Sequence, residues 1–343
     1  MRILLIGGNG FIGRVVAAAL KRQGHVLAVF HRGTTTAPAD VDEIRGDRNQ
    51  LNASSDELKR FAPDVVIDLI ISSGGQAEEL MNIFRGATRR VLMLSSIDVY
   101  RAVGISHGTE NGPLQEVPLT EESELRRGLR PYSPESLQVM RKISPWVTDD
   151  YDKIPAERSV MNDCELPGTV LRLPMVYGPG DPLHRFYPVV KRIADGRGNI
   201  IFPDVLAAWH SPRGYVENVA AAIALAATDD RAVRRIYNVC EEPSFSELEW
   251  ARKIAGQMQW EGKFVVLPVD RTPRHLLKPG NAAQNWTASS ARIRRELGYN
   301  EPIAMEEAIR RTIRWEQANL PDPAFLSQFD YPAEDAAIAG QHE

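Results

Sequence analysis

Residues 1–33 read MRILLIGGNGFIGRVVAAALKRQGHVLAVFHRG, which places an apolar strand, a glycine turn, an amphipathic helix and a second apolar strand in succession. The turn has the spacing G-x-x-G-x-x-G, formed by Gly7, Gly10 and Gly13. The first two glycines let the backbone turn tightly and approach a pyrophosphate, and the third lets the helix pack closely on the strand. The helix N-terminus offers unpaired N–H groups and the positive end of its dipole to phosphates. This combination predicts a dinucleotide-binding loop, in preference to a glycine-rich turn without a cofactor.

Strand-like and helical patterns alternate from the N-terminus to about residue 173, as a parallel doubly wound sheet requires. The predicted strands are residues 2–6, 26–30, 42–45, 64–71, 90–95 and 168–173. The predicted helices between them are residues 11–23, 54–61, 75–86 and 152–164. After residue 174 the pattern is less regular, with helices predicted at 183–195, 219–227, 245–257 and 304–319 and strands at 236–239 and 264–267. The predicted fold class is therefore α/β, with a doubly wound parallel sheet.

The composition is that of an ordinary globular protein: 343 residues, 43% hydrophobic and 25% charged, with a net charge of −4. Lysine and arginine are scattered, so no basic face argues for a nucleic-acid partner. No apolar run approaches the ~18 residues that a membrane helix needs. Cys164 and Cys240 lie far apart in apolar surroundings, which is typical of buried reduced thiols and not of a disulfide framework. We therefore expect a soluble cytoplasmic protein.

Four later segments extend the pattern of the glycine loop. They are D-V-V-I-D-L at residues 64–69, V-L-M-L-S-S-I-D-V-Y at 91–100, T-V-L-R-L-P-M-V-Y-G-P-G-D at 169–181 and R-G-Y-V-E-N-V-A at 213–220. With these segments the sequence resembles the short-chain dehydrogenase/reductase superfamily, and within it the extended branch, the NAD-dependent epimerase/dehydratase family. The resemblance spans roughly residues 1–320 and supports the fold more strongly than the chemistry.

The resemblance implies two lobes. Residues 1–173 are expected to form mainly a Rossmann-type dinucleotide-binding domain, and residues 174–320 mainly a smaller substrate-binding lobe interleaved with the last Rossmann elements. Residues 321–343 are expected to be a surface tail. Residues 101–148 are a long, proline-interrupted insertion whose ends lie at the sheet edge where ligands bind. The insertion forms either a partial lid or a surface decoration.

The end of the second strand indicates whether the cofactor carries a 2′-phosphate. It reads F-H-R-G and contains no carboxylate. NAD enzymes commonly place an acid there for the ribose hydroxyls, whereas NADP enzymes need a cation for the 2′-phosphate. Arg32 favours NADP over NAD, although it can also stack on adenine. Asp47 matches the family's adenine site, or else it caps a helix. The predicted cofactor-binding residues are Gly7, Gly10, Phe11, Ile12, Gly13, Arg32, Asp47, Arg48, Lys153 and Pro174.

In the resembling family a serine or threonine, a tyrosine and a lysine cooperate. The tyrosine is the acid/base, the lysine lowers its pKa and holds the nicotinamide ribose, and the serine orients the substrate oxygen. Ser96 stands at the serine position, four residues before Tyr100, although a small residue there can simply cap the strand end. Lys153 matches the lysine, since Glu157 follows it in K-x-x-x-E. Four residues before this lysine stands Asp149, so the Y-x-x-x-K motif is absent.

Tyr151 is close to Lys153 in sequence but out of phase with it, since residues two apart on a helix point about 200° away from each other. Pro155 fits only the first turn of a helix. A helix that begins at Asp152 or Lys153 therefore leaves Tyr151 in the preceding turn, free to reach the cleft. The predicted catalytic residues are Ser96, Tyr151, Lys153 and Asp98. If Tyr151 is not used, the remaining candidates for an acid/base are Asp149, Asp98 and Tyr132 of the insertion, or the site has none.

Substrate contacts are predicted from the same resemblance at Tyr100, Tyr177, Arg185, His210 and Arg213. Arg213 either binds a diphosphate bidentately or is a salt-bridged arginine at a strand edge. The seven histidines show no metal-ligand spacing, so no metal site is predicted.

Three functions remain open. The first is an NAD(P)-dependent oxidoreductase of the epimerase/dehydratase/reductase type, acting on a hydroxyl or carbonyl carbon of a small molecule, with a nucleotide-sugar as the substrate that the family suggests. The second is a catalytically decayed cofactor-binding sensor or regulator, which the missing tyrosine motif favours. The third is RNA association, as in some atypical members, but the charge balance promises no basic surface. The default assembly is a homodimer through the helices at 75–86 and 152–164.

Overall fold

A seven-stranded parallel sheet forms the centre of the N-terminal part of the chain in this computed structural model, which describes residues 1–278 and 280–340. The strands are β1 (Arg2–Ile6), β2 (Val26–His31), β3 (Asp42–Arg45), β4 (Val65–Asp68), β5 (Arg90–Ser96), β6 (Gly168–Leu173), β7 (Met175–Tyr177), β8 (Asn199–Pro203), β9 (Arg213–Tyr215), β10 (Ile236–Asn238) and β11 (Lys263–Leu267). The main sheet has the order β3-β2-β1-β4-β5-β6-β10, while β7 pairs with β9 and β8 with β11. The order runs outwards from β1 in both directions, so the predicted Rossmann-type α/β class is confirmed.

The helices connect these strands and cover both faces of the main sheet. They are α1 (Phe11–Arg22), α2 (Ser55–Arg60), α3 (Gly74–Phe84), α4 (Arg101–Ser106), α5 (Pro134–Ile143), α6 (Lys153–Met161), α7 (Tyr187–Ala194), α8 (Asp204–Ala207), α9 (Val216–Thr228), α10 (Glu247–Gln257), α11 (Ala291–Leu297), α12 (Met305–Ala318), α13 (Pro323–Leu326) and α14 (Tyr331–Ala339). None of these helices combines the length and the apolar character that crossing a membrane requires.

Burial on both faces explains why the central strands are near-continuous apolar runs without polar alternation. On one face α1 packs against α9, whose alanines let the two helices approach closely. The core there includes Leu5 and Ile223. On the other face α3 packs against α6, over a core that includes Leu4 and Met81. With the helices on the faces, the carboxyl ends of β1, β2, β4 and β5 remain at one open edge, where ligands bind in such sheets.

The predicted elements differ from the observed ones mainly at their ends. The strand predicted for residues 64–71 ends at Asp68, whose carboxylate accepts a hydrogen bond from Ile70 N at 3.0 Å and turns the chain. The helix predicted for residues 183–195 begins only at Tyr187, because Asp181 accepts from Leu183 N at 3.0 Å and holds a turn before it. The sequence pattern did not predict β7, β8, α8, β9, α11, α13 or α14.

The segment after residue 320 is part of the C-terminal lobe and not a plain surface tail, as far as residue 340. Helices α13 and α14 pack on the lobe, and Glu334 of α14 is fully buried. Its carboxylate pairs with the buried guanidinium of Arg192 on α7. A buried ion pair fixes its helix in one place, so this expectation is corrected. Residues 341–343 lie outside the described residues.

The outward surfaces of α3 and α6 are polar. Glu78, Asn82 and Arg158 are exposed on them. The centres of stable homodimer interfaces are depleted of charged residues. The surface therefore does not favour a dimer built on these two helices, and the homodimer stays a prediction.

Candidate functional site

A cavity of about 820 Å³ lies at the carboxyl ends of β1 and β2. Seven of the ten predicted cofactor residues line it: Gly7, Gly10, Phe11, Ile12, Gly13, Arg32 and Arg48. The other three, Asp47, Lys153 and Pro174, lie outside this lining. The volume falls in the usual range of cofactor and small-molecule sites, roughly 300–1,000 Å³.

The glycine loop has a shape that other residues cannot adopt. Gly7 has a φ of +85°, and a Cβ there would lie 2.6 Å from Cγ2 of Ile70. A Cβ on Gly13 would lie 2.4 Å from the carbonyl oxygen of Gly7. Gly10 is the N-cap of α1 and provides no side-chain acceptor for the first N–H groups of the helix. The loop therefore presents free backbone donors and the positive end of a helix dipole to the cavity, which fits a pyrophosphate.

The end of β2 presents cationic and hydroxyl groups to the cavity. Among the described residues the lining contains Arg32, Thr34 and Thr35 and no aspartate or glutamate. Glu43 on β3 faces His31, with Oε1 of the glutamate 2.7 Å from Nε2 of the imidazole. Nδ1 of the same imidazole accepts a backbone N–H at 3.0 Å, which leaves the ring proton on Nε2. The carboxylate of Glu43 therefore lies beside the histidine and is not part of the cavity lining.

Asp47 and Arg48 have structural partners. Asp47 caps a short 3-10 helix by accepting from Asn49 N at 2.9 Å, which is the alternative role foreseen for it. Arg48 is buried and donates to Oδ2 of Asp68 at 2.8 Å and to the carbonyl of Gln76 at 2.8 Å. Arg48 therefore joins the ends of β3 and β4 through this ion pair, and it also lines the cavity, so its role in cofactor binding stays a prediction.

Helix α6 begins at Lys153, as the position of Pro155 requires. Asp152 caps it by accepting a backbone N–H of the first turn at 2.9 Å. The proline is then the third residue of the helix, where its missing N–H has no intrahelical partner to lose. Tyr151 is left in the preceding turn, and its hydroxyl donates to Oδ2 of Asp98 at 3.0 Å. This is the geometry on which the predicted role of Tyr151 depends.

One carboxylate oxygen of Asp98 accepts hydrogen bonds from two phenol hydroxyls. Tyr132 of the insertion donates to the same Oδ2 at 3.2 Å, and its ring lies 5.4 Å from that of Tyr151. Asp98 is 7% exposed, and its Oδ1 has no hydrogen-bond partner among the described residues. Burial raises the pKa of Asp98 and holds the pKa of both phenols well above their ordinary 10. Two neutral phenols and a carboxylate with a free oxygen can relay a proton.

Lys153 and Ser96 hold the backbone around this carboxylate. The ammonium of Lys153 donates to the carbonyl of Ile71 and, at 3.2 Å, to that of Leu94. Desolvation by burial lowers the pKa of this lysine. Ser96 Oγ accepts from Asp98 N at 3.1 Å, which is the capping role left open for it. The four predicted catalytic residues thus lie together at the carboxyl end of β5.

Asp149, at the position of the family's tyrosine, lies outside this cluster. Its side chain is 94% exposed and pairs with Arg141 on α5. An exposed carboxylate paired with an arginine cannot serve a buried proton path, so Asp149 is excluded as the acid/base. The phenols of Tyr132 and Tyr151 donate to the Asp98 carboxylate.

The insertion forms one wall of the cofactor cavity. Residues 143–146 line it, and the carbonyl of Trp146 accepts from Nε2 of Gln76 at 3.1 Å. Behind this wall Leu137 and Val147 pack with Tyr151 in a small core separate from those of the sheet. Sequence reasoning missed Trp146, for which a lone tryptophan between prolines in a polar stretch was the available signal. The wall is consistent with the lid interpretation, which stays a prediction.

Two predicted substrate residues, Tyr100 and Tyr177, are fully buried. Tyr100 donates to Oδ1 of Asn238 at 2.7 Å, and Tyr177 donates to Oε2 of Glu241 at 3.1 Å. Burial raises the pKa of Tyr100 to about 12. Side chains with no exposed surface do not contact a substrate in this structure. We therefore correct both assignments: Tyr100 joins the segment after β5 to β10 of the same sheet, and Tyr177 joins β7 to the segment after β10.

Arg185 and Arg213 line a second cavity of about 230 Å³ in the C-terminal lobe. Arg185 pairs with Asp181 at 2.7 Å, and Arg213 pairs with Glu247 at 2.7 Å. Arg213 is thus a salt-bridged arginine, which is one of its two predicted roles, and it lines a cavity. His210 lies outside this lining, with its Nδ1 2.9 Å from a backbone carbonyl, as in an ordinary hydrogen-bonded histidine.

Known proteins resemble this chain in sequence and fold. The sequence model of the NAD dependent epimerase/dehydratase family matches residues 3–240. The curated 2′-dehydrokanamycin reductase of Streptomyces kanamyceticus is 30% identical over 123 residues, 35% of this chain and 32% of the reductase. The structure of dTDP-glucose 4,6-dehydratase from Bacillus anthracis with NAD has a TM-score of 0.66 at 15% identity, covering 93% of this chain and 97% of that one. MoeE5, solved with UDP-glucuronic acid and NAD, has a TM-score of 0.66 at 21% identity, covering 93% and 100%.

These comparisons support different statements. The solved structures share the fold at low identity, and the chain spans about a third of the reductase that it matches. The family match covers well over half of the chain and includes the glycine loop, the strand that ends at Ser96 and the start of α6. This protein therefore belongs to the NAD dependent epimerase/dehydratase family.

Proposed function

We propose that this protein is an NADP-dependent oxidoreductase acting on a hydroxyl or carbonyl carbon of a small anionic substrate of the nucleotide-sugar class. The observation that carries the proposal is the 3.0 Å hydrogen bond from Tyr151 to Asp98, in the same sheet edge as the dinucleotide loop. When bound, the nicotinamide supplies the hydride donor or acceptor. Residues 7–13 would hold the pyrophosphate, and Arg32 would hold the 2′-phosphate.

The side chains of the site can move one proton in either direction. In oxidation, the substrate hydroxyl gives its proton to the Tyr151 oxygen while the phenol proton passes to Oδ2 of Asp98. In reduction, the same path runs backwards and protonates the carbonyl oxygen. The phenol is neutral before and after, in keeping with its pKa well above 10. Asp98 is the group that changes charge, and its raised pKa makes the protonated state more accessible than for an ordinary aspartate.

The second cavity supports an anionic substrate. In the described part of the chain its lining includes the cations Arg185, Arg192, Arg213 and Lys278 and the carboxylate of Glu247. The three arginines pair with Asp181, Glu334 and Glu247, so Lys278 is the cation that forms no ion pair with the described residues. Guanidinium groups bind phosphates well, and an excess of positive charge raises the local concentration of anions. A diphosphate-bearing substrate is therefore favoured over an aminated one.

A catalytically decayed cofactor-binding protein is the alternative, and one observation favours it. Tyr151 is buried, and side chains of the insertion cover it. Hydride exchange with C4-deuterated NADPH, run against sugar nucleotides and small carbonyl compounds, separates the two functions. Deuterium transfer to a substrate supports the oxidoreductase and requires the insertion to open as a lid. Tight NADPH binding with no transfer across the panel supports the sensor.

Arg32→Ala is expected to weaken NADPH binding about 10- to 150-fold, because a hydrogen bond to a charged group contributes roughly 1.5–3 kcal/mol. NADH binding should change by about threefold or less, since that nucleotide has no 2′-phosphate. Calorimetric titration of both nucleotides measures the difference. Arg45→Ala is the matched control, because Arg45 pairs with Glu43 at 3.2 Å and lies outside the cavity lining. Equal losses of affinity for both nucleotides would show that Arg32 stacks on adenine and does not bind the 2′-phosphate.

The pH profile of alcohol oxidation is expected to contain a limb set by Asp98. Oxidation needs the carboxylate form, so kcat/KM rises as pH rises through the Asp98 pKa and is lost below it. Because burial raises this pKa, the midpoint should lie above the ordinary 3.8. Asp98→Asn should lower the rate about 10²- to 10⁴-fold and remove the limb from the residual activity. A limb that persists in the Asn variant would assign it to another group.

We also infer a cytoplasmic location. Cys164 is an exposed free thiol and Cys240 a buried one. Disulfides persist in oxidising compartments and are rare in the cytosol, where thiols stay reduced.

A further inference from the structure

The turn that carries Arg32 is closed by the side chain of the residue before it. The backbone N–H of Gly33 donates to Nδ1 of His31 at 3.0 Å, so this hydrogen bond spans Arg32. Gly33 has a φ of +79°, in the left-handed region that favours glycine. The Arg32 side chain is exposed and forms no ion pair with residues 1–278 and 280–340. The direction of its guanidinium therefore depends on the turn around it and not on a charged partner.

Asn9 of the glycine loop makes the second contact with this imidazole. Its Nδ2 lies 2.8 Å from Nδ1 of His31, and the same nitrogen donates to the carbonyl of Thr35 at 2.9 Å. The two hydrogens of one amide thus join the glycine loop to both ends of the segment 31–35. Asn9 and His31 are buried, so water competes little for these bonds. Loop and segment line the first cavity together as one hydrogen-bonded unit.

These contacts fix the tautomer of the imidazole. Nδ1 receives two N–H donors, so it must carry the lone pair. The ring proton is left on Nε2, which faces Oε1 of Glu43 at 2.7 Å. The His31 side chain is only 6% exposed. The ring is therefore directed at its protein neighbours, and it offers an acceptor to the turn and a donor to β3 at once.

We propose that His31 is a positioning residue for the 2′-phosphate of NADPH, acting through Arg32. The proposal rests on the NADP preference assigned above. Arginine has many rotamers, and holding a binding group in place before the ligand arrives lowers the entropy lost on binding. The Nδ1 acceptor holds the backbone on both sides of Arg32, so the guanidinium starts from a fixed base. A dinucleotide without the 2′-phosphate gains nothing from this, so His31 sets the preference between the two nucleotides.

The test compares two variants that each retain one half of the imidazole, by calorimetric titration with NADPH and with NADH. His31→Asn places an amide oxygen close to the position of Nδ1, and asparagine readily accepts the backbone N–H two residues on. This variant should keep NADPH affinity to within about threefold. His31→Gln extends its amide towards Glu43 and leaves the N–H of Gly33 without its acceptor. It should weaken NADPH binding by about tenfold and NADH binding by about threefold or less.

A double-mutant cycle tests whether His31 acts through Arg32. In the Arg32→Ala background, His31→Gln should cause no further loss of NADPH affinity, because the group that it positions is already gone. Losses that add in the double variant would overturn the proposal. Unchanged NADPH affinity in His31→Gln would also overturn it, as would a loss in His31→Asn equal to that in His31→Gln.

The same titrations separate this proposal from the proposed cofactor. A wild-type protein that prefers NADPH, loses the preference in Arg32→Ala and keeps it in His31→Gln would refute the role of His31 alone. A wild-type protein that binds both nucleotides equally would refute the NADP preference and the role of His31 together. If His31→Gln binds neither nucleotide, His31→Asn decides: retained NADPH preference supports the acceptor role, and its loss overturns it.

Discussion

Tyr151→Phe is expected to lower kcat by about 10²- to 10⁴-fold, the usual contribution of a positioned acid/base. The lost hydroxyl is the group that passes the proton between the substrate oxygen and Asp98, to which it donates at 3.0 Å. Phenylalanine retains the ring that packs 5.4 Å from Tyr132, so the fold of the insertion should persist. Single-turnover hydride transfer measures the chemical step, and NADPH titration should show unchanged affinity.

Tyr132→Phe is the matched control for this variant. Tyr132 donates to the same carboxylate oxygen at 3.2 Å but comes from the insertion. Its loss removes one supporting hydrogen bond, typically about 0.5–1.5 kcal/mol, so the rate should fall by roughly tenfold or less. A larger loss in Tyr132→Phe than in Tyr151→Phe would exchange the two roles. If both variants keep full activity, the relay through Asp98 is wrong.

Glu157→Gln is expected to lower the free energy of unfolding by about 3–5 kcal/mol. Glu157 is buried between β5 and β6 and accepts from Nε and Nη2 of Arg172 at 3.0 and 2.7 Å. It also accepts from Ser95 Oγ at 2.5 Å. Glutamine preserves the size of the side chain but leaves the buried guanidinium without its counter-charge, and an uncompensated buried charge is strongly destabilising. Urea unfolding of the two proteins measures the difference.

An exposed ion pair provides the comparison for this prediction. Glu307 on α12 pairs with Arg310 and Arg311 at the surface. Water screens exposed pairs and they contribute little to stability, so Glu307→Gln should leave the urea midpoint nearly unchanged. A similar small effect for Glu157→Gln would mean that Arg172 finds another partner or reaches water when the carboxylate is removed.

The position of α6 explains why the tyrosine motif of the family is absent. A Y-x-x-x-K motif places both side chains on one face of a continuous helix. Here Asp152 caps the helix and Lys153 is its first residue, so a tyrosine at position 149 would lie outside the helix. A phenol near the lysine therefore has to come from the turn before the helix or from another segment. Tyr151 comes from the turn before the helix, and Tyr132 comes from the insertion.

Interactions between residues close in sequence made the strands of the sheet, the glycine loop and the start of α6 predictable. Apolar runs of strand length, the glycine spacing and the position of Pro155 each depend on only a few neighbouring residues. They can therefore be recognised in the sequence. Seven predicted cofactor residues line one cavity, and the predicted catalytic residues lie together. The parallel direction of the strands followed from the same alternation, because parallel strands need helical crossovers.

The partners of the long polar side chains were decided by the tertiary structure. Arg48 meets Asp68, Tyr177 meets Glu241, and Glu334 meets Arg192, across separations of 20, 64 and 142 residues. A buried charge or hydroxyl must be paired, but many residues of the right type are available, and only packing selects one. The sequence alone therefore identified a Rossmann fold with a dinucleotide loop. Packing decided which arginines and tyrosines line a cavity and which are buried against partners, and it placed part of the expected tail in the lining of the second cavity.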